Sequence, residues 1–264
     1  MWQAGILLGN PQKVLGINFS GNNQIMYGNK YNNDYWHGDI EYYQWDGNQW
    51  IWGGWLLGDV NSTSNEEEPF ITYDGQHIYF MRWYGSSEIQ IYIADWNGSG
   101  FYNSRPLGPQ INNPNARYPS LTQDGQKLYF TRTIIYESTW NGNDWGNPIA
   151  LPSEVNSGGS DRFYVTISPD GNEIYFCGAG SYIYKLAYSK KIGGIWQQWQ
   201  YCDYNINPPG MTCVSPGLTY GSYETQELYY NRPYGVNALT YHFHRSPVSV
   251  EPASLGQIKA NYAR

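Results

Sequence analysis

The residues best suited to chemistry are charged and aromatic side chains that recur beside short strand-like segments. Glu66, Glu67 and Glu68 form one acidic run, and Asp161 stands in a comparable place two repeats later. Cleavage of a glycosidic bond needs two carboxylates roughly 5–10 Å apart. Glu67 or Glu68 with Asp161 is the pair that strand direction would bring to one face as catalytic residues, if the chain is an enzyme. Arg82, Arg132 and Arg232 share one repeat position, and Arg117 and Arg162 precede later strands. A guanidinium fork pairs with a carboxylate or with sugar hydroxyls. Tyr118, Trp36, His37, Trp83, Tyr84 and Tyr234 lie on segments that would surround the same mouth, where aromatic rings stack on the apolar face of a sugar. A second reading stands beside this one. Each repeated arginine ties down an acidic residue of the next repeat, and the glutamate run is a solvated loop.

Other chemistries find little support. His242 and His244 share a strand face, a spacing that can hold a metal, but His244 stands where other copies carry Trp or Tyr, which favours packing. We expect no metal site and no cofactor, because the sequence lacks a GxSxG elbow, an HExxH pair, a P-loop, a dinucleotide fingerprint and an EF-hand loop. The net charge of −7 leaves no basic face for phosphates, so nucleic acid is not an expected partner. No apolar run reaches the roughly 18 residues of a membrane span. Met1-Trp2-Gln3 leads straight into strand-like sequence, and the acidic, aromatic composition points to a secreted, periplasmic or cell-surface monomer whose signal has been trimmed. Of the three cysteines, Cys202 and Cys213 could pair in such a compartment, but buried thiols are the preferred reading.

The elements that must position these residues are strands. Aromatic residues make up 18% of the chain and charged residues only 14%, which suits a β-rich protein with aromatic packing rather than a helical bundle. Glu67 to Trp96 shows the unit. A strand, Pro69 to Tyr73, runs into the turn Asp74-Gly75. A second strand, Ile78 to Arg82, and a third, Ile91 to Trp96, follow. The second-strand motif recurs at Ile25-Met26-Tyr27, Ile78-Tyr79-Phe80, Leu128-Tyr129-Phe130, Ile174-Tyr175-Phe176 and Leu228-Tyr229-Tyr230, 53, 50, 46 and 54 residues apart. Fourth strands open on Trp50, Phe101, Trp145 and Trp196. Four antiparallel strands about every 50 residues is the unit of a β-propeller blade.

The Asp-Gly turn, the LYF-type strand and the IYxxxW strand together resemble the WD40-like (PD40) repeats of the TolB-type β-propeller family. The resemblance runs from Trp2 to about His244; the first and fifth copies lack the Asp-Gly turn. It implies fold far more than function, since such propellers include binding modules, interaction domains and enzymes.

The expected fold is therefore all-β: a five-bladed propeller of four-stranded antiparallel blades. Blades fall at roughly 14–60, 66–110, 115–155, 161–206 and 212–246. The N-terminal strand 2–8 completes the last blade and closes the ring. Residues 247–264 form a tail packed on the propeller or extending from it. The start of each first strand and the end of each second strand should meet on one face, with the Asp-Gly turns opposite. The expected function is binding of a carbohydrate or another small polar ligand in a charged, aromatic-rimmed funnel on the first of these faces. A glycoside hydrolase or polysaccharide lyase at the same funnel is the alternative, and a protein-interaction scaffold the third reading.

Overall fold

A computed structural model describes residues 6–7, 14–31, 38–85, 87–158, 161–180, 183–203, 206–207, 214–220, 227–234 and 237–244. After β1 (Ile6–Leu7), the chain forms repeated antiparallel sheets. The first holds β2 (Leu15–Phe19), β3 (Ile25–Tyr31), β4 (Gly38–Trp45) and β5 (Trp50–Trp55). The second holds β6 (Asn65–Ile71), β7 (His77–Tyr84), β8 (Glu88–Trp96) and β9 (Phe101–Pro106). A short helix α1 (Pro109–Asn112) leads to the third, with β10 (Arg117–Leu121), β11 (Lys127–Thr131), β12 (Ile135–Thr139) and β13 (Ile149–Ala150). Helix α2 (Ser153–Asn156) leads to the fourth, with β14 (Arg162–Ile167), β15 (Glu173–Gly180), β16 (Ile183–Ile192), β17 (Ile195–Trp196) and β18 (Gln200–Tyr201). The last sheet holds β19 (Val214–Leu218), β20 (Glu227–Tyr234) and β21 (Asn237–His244), with β1 beside β21. Ile6 pairs with His242 and Leu7 with Tyr241. The architecture is an all-β propeller.

Both faces of each sheet are apolar, and alternation along the second strand sends its side chains to two different neighbours. Ile78 and Phe80 pack with Tyr27 and Ile40 of the first sheet, whereas Tyr79 packs with Leu121, Leu128 and Phe130 of the third. Tyr129 and Ile135 join Ile174 and Phe176, and Tyr175 and Leu186 join Leu218 and Leu228. Phe19 and Met26 of the first sheet meet Tyr229 of the last, with the Phe19 and Tyr229 rings 4.5 Å apart. Each such buried apolar side chain contributes about 1.5–3 kcal/mol, so the core lies in the seams between sheets. The first strands pack on one another in the order β2, β6, β10, β14, β19, and β19 packs on β2. Polar side chains stitch them: Asn18 Oδ1 accepts from Ile71 N at 2.8 Å, and Ser120 Oγ from Ile167 N at 3.0 Å.

Turn chemistry repeats with equal regularity. Thr72 Oγ1, Thr122 Oγ1 and Ser168 Oγ donate to Asp74, Asp124 and Asp170, which also accept the backbone N–H two residues on. Gly75, Gly125 and Gly171 supply the left-handed backbone that each turn needs. The first sheet makes the same turn without Asp-Gly: Ser20 donates to Asn22, and Asn23 takes φ 56°. Asparagine tolerates that region better than other non-glycine residues.

Pairing corrects one sequence-based alignment. Met26 lies opposite Phe19, as Ile78 lies opposite Ile71, so Lys30 rather than Asn29 holds the position of Arg82. The offset arose from matching Ile25-Met26-Tyr27 to Ile78-Tyr79-Phe80, whereas Ile25 is the counterpart of His77: Ser20 N donates to Ile25 O as Thr72 N donates to His77 O. Cys177 and Cys202 are buried thiols in one seam. Cys213, Ser246 to Arg264 and Trp2 to Gly5 lie outside the described residues.

Candidate functional site

Strand direction places the expected residues where it should: Glu66 pairs with Arg82, Arg117 with Thr131 and Arg162 with Gly178 at one end of the sheets. The arginines nevertheless divide into two groups. Arg82 Nε donates to Glu66 Oε1 at 2.8 Å, and its Nη2 to the carbonyls of Val60 at 2.7 Å and Asp59 at 3.3 Å. Its guanidinium lies 4.5 Å from the Tyr92 ring centre. Glu66 is fully buried and also accepts from Ser62 N and Oγ. Burial pushes its carboxyl upward, against the bonds from Ser62 and Arg82. The ion pair thus forms within one sheet, not with the next repeat. Arg132 Nη2 donates to Gln110 O at 2.8 Å and to Ile111 O, above the Tyr136 ring. Arg162 is buried, donates to Ser157 O and sits against Phe176 and Trp199. Arg82, Arg132 and Arg162 therefore fasten the connector that precedes their own sheet instead of lining a funnel.

A second fastening, missed in the sequence, explains why those connectors are rigid. Asn61, Asn112, Asn156 and Asn207 each accept a third-strand N–H through Oδ1 and donate through Nδ2 to two carbonyls. The recipients are Ile40, Ile91, Ile135 and Leu186, joined by Leu56, Leu107, Leu151 and Cys202. The signal was legible as a Val-Asn or Ile-Asn dipeptide: Val60, Ile111, Val155 and Ile206 are all fully buried just before these asparagines.

Arg117 behaves differently. It begins β10 with its guanidinium 5.8 Å from the Trp83 ring centre. Arg117 Nε and Trp83 Nε1 are both buried with no hydrogen-bond partner among the described residues. The next residue, Tyr118, occupies a bulge at φ 56°, and the same bulge position holds Gly16 (φ 60°), Glu68 (φ 51°) and Tyr164 (φ 54°). Left-handed backbone is costly for residues with a Cβ, so three of these four positions hold local strain of the kind that collects at functional sites. A bulge re-aims its side chain. Here the re-aimed groups gather: Glu68 N donates to Asn29 Oδ1 at 3.1 Å, and the Tyr118 ring lies 4.8 Å from Tyr164. Burial, and then the charge of Glu68, push the Tyr118 hydroxyl well above the usual phenol range. Arg117 opposes that shift, which places its charge in the same neighbourhood.

The remaining expected residues are scattered. Glu67 is buried in β6 opposite Met81, whereas Asp161 is exposed just before β14, so the two carboxylates occupy unlike surroundings. Tyr84 is 40% exposed, and its hydroxyl meets that of Tyr92, which burial and this contact push up to about 12. Trp36 and His37 lie outside the described residues. Arg232 and Tyr234 end β20, where the backbone alone is described. Among the described residues, no group of three or more His, Cys, Asp or Glu is arranged to hold a metal ion.

No family model matches this sequence, and no curated protein matches it. Solved structures do. The endo-arabinase from Bacteroides thetaiotaomicron superposes with a TM-score of 0.63 at 15% identity, over 94% of this chain and 99% of that one. The catalytic domain of the GH62 α-L-arabinofuranosidase from Coprinopsis cinerea gives 0.63 at 11% identity, over 92% and 96%. TolB from Acinetobacter baumannii gives 0.49 at 16% identity, over 88% of this chain and 54% of its own, so this chain spans about half of that protein. At these identities the likeness to the two carbohydrate-active enzymes is one of fold, and it makes the chain a β-propeller.

Proposed function

We propose that this chain is a carbohydrate-binding propeller whose ligand sits at the channel mouth formed by the bulged starts of the first strands. In this reading the sheets are five blades of a closed ring, with β1 completing the last blade. The pairing of β1 with β21 and the packing of β19 on β2 support that closure. The observation that carries the function is the group at β10. Arg117 has no hydrogen bond or ion pair among the described residues, rests against Trp83, and adjoins the paired Tyr118 and Tyr164 rings, which are tilted by 49°. A charged fork beside two aromatic surfaces is the chemistry that a hydroxyl-rich ring requires. Glu68 adds an acceptor at the same place. The ligand is an oligosaccharide and the protein acts outside the cytoplasm as a monomer. Calorimetric titration against plant and bacterial oligosaccharides tests this reading: binding that Arg117→Gln weakens supports it, and the absence of any saccharide binding overturns it.

A hydrolytic reading rests on a separate observation, the place of Glu67 and Glu68 at the bulge of β6, the position that Arg117 and Tyr118 hold in β10, and on the α-L-arabinofuranosidase and endo-arabinase named among proteins of this fold. It requires a second carboxylate across the channel. Reducing-sugar release from arabinan that survives Glu67→Gln, Glu68→Gln and Asp161→Asn would exclude these side chains from catalysis.

A further inference from the structure

The opposite face carries a feature that the channel-mouth reading does not use. Between the second and third sheets, where the Asp-Gly turns lie, a cleft of about 530 Å³ opens. Its wall is aromatic: Tyr79, Trp140 and Trp145 line it, with the two indole rings 5.3 Å apart. Its rim is polar. Asp74 and Asp124 each take their turn hydrogen bonds on Oδ1, and Oδ2 of each takes none among the described residues. Gln126 adds an amide. A second cleft, about 450 Å³, lies between the third and fourth sheets. Tyr73, Gln123 and Asp124 line both, so the two form one groove across three sheets. Each volume falls in the range of small-molecule sites, roughly 300–1,000 Å³.

We propose that this groove is a second saccharide site, independent of the channel mouth, and that it takes an oligosaccharide spanning the Tyr73–Gln123–Asp124 ridge. Aromatic walls suit the apolar faces of sugar rings. Open carboxylate oxygens and amides suit hydroxyl donors, and a groove that continues past one cleft suits a ligand longer than one ring.

Titration calorimetry of the intact chain with arabinohexaose, xylohexaose and cellohexaose tests the proposal. Gln123 is exposed, so Gln123→Ala should keep the wild-type unfolding midpoint; Tyr73 is 45% exposed with its ring edge-on to Tyr220 at 5.0 Å, so Tyr73→Ala should lower the midpoint only by the loss of that contact. Each should weaken binding of at least one hexaose by about fivefold, and by the same factor when added to Arg117→Gln. The proposal fails if wild type binds none of the three at millimolar concentration, or if both variants bind as wild type does. Binding lost in Arg117→Gln alone overturns the groove and leaves the channel mouth standing; binding lost in the groove variants alone does the reverse.

Discussion

The connectors and the channel mouth use the same residue types for opposite ends. In the connectors, polar side chains repeat from sheet to sheet and hydrogen-bond to nearby backbone, although Nε of Arg132 and of Arg162 has no partner among the described residues. Asn61, Asn112, Asn156 and Asn207 make one pattern four times, and Arg82, Arg132 and Arg162 each fasten carbonyls nearby. At the mouth the side chains vary more from repeat to repeat. The shared bulge position holds Gly16, Glu68 and two tyrosines, Tyr118 and Tyr164, and the side chain of the neighbouring Arg117 makes no hydrogen bond among the described residues. Repetition here marks a packing solution reused by each blade.

Substitutions can break this contrast. The largest effect should come from Arg82→Ala, which leaves the fully buried Glu66 carboxylate without its cation. Removing one partner of a buried pair costs about 3–5 kcal/mol. Denaturant unfolding should show that loss, and Arg82→Met combined with Glu66→Gln should recover more than half of it. Next is Asn112→Ala, which strands one N–H and two carbonyls in the second seam. A loss of about 3 kcal/mol is expected in the same assay, since buried unsatisfied groups cost about 1–3 kcal/mol each and water can reach some of them. An unchanged midpoint would remove the connector from the stabilising half of the comparison.

The mouth should respond in the opposite way. Arg117→Gln should change stability by less than about 0.5 kcal/mol. It should weaken saccharide binding about tenfold, about 1.4 kcal/mol. A variant that loses stability but not binding would place Arg117 with the connectors.

The smallest effect concerns acid, and it sharpens the comparison at exposed pairs. Burial acts to raise the Asp95 carboxyl, but hydrogen bonds from Arg105, Asn103 and His77 outweigh it and hold the group below its ordinary range. Burial likewise opposes, and Lys127 and Tyr129 overcome, the shift at Glu137. Both folded values lie below the unfolded ones, near pH 4. The folded chain therefore binds fewer protons there, and the stabilisation is present above about pH 4 and lost as pH falls through the depressed values. The thermal midpoint should drop below about pH 4, and Asp95→Asn should flatten that slope slightly.

Much of the scaffold could be read from the residues. Alternation in Ile78-Tyr79-Phe80 set two faces, and Asp74-Gly75, Asp124-Gly125 and Asp170-Gly171 set the hairpins, because those signals act over a few neighbours. The first copy was harder: Asn22 and Asn23 do the work of Asp-Gly, and an apolar Ile25 at the place of the polar His77 hid the true register of Met26. The Val-Asn and Ile-Asn dipeptides were visible but silent, since their partners lie 5 and 21 residues away on another strand.

By itself the sequence determined the strands, their turns and the face on which Arg82, Arg117 and Arg162 would emerge, because period and turn chemistry are local. Only tertiary structure decided which arginine was consumed. Arg82 met a buried carboxylate and connector carbonyls, whereas Arg117 met an indole ring and no acceptor. That outcome depends on which groups packing brings within 3 Å of a guanidinium, a distance that no spacing along the chain encodes.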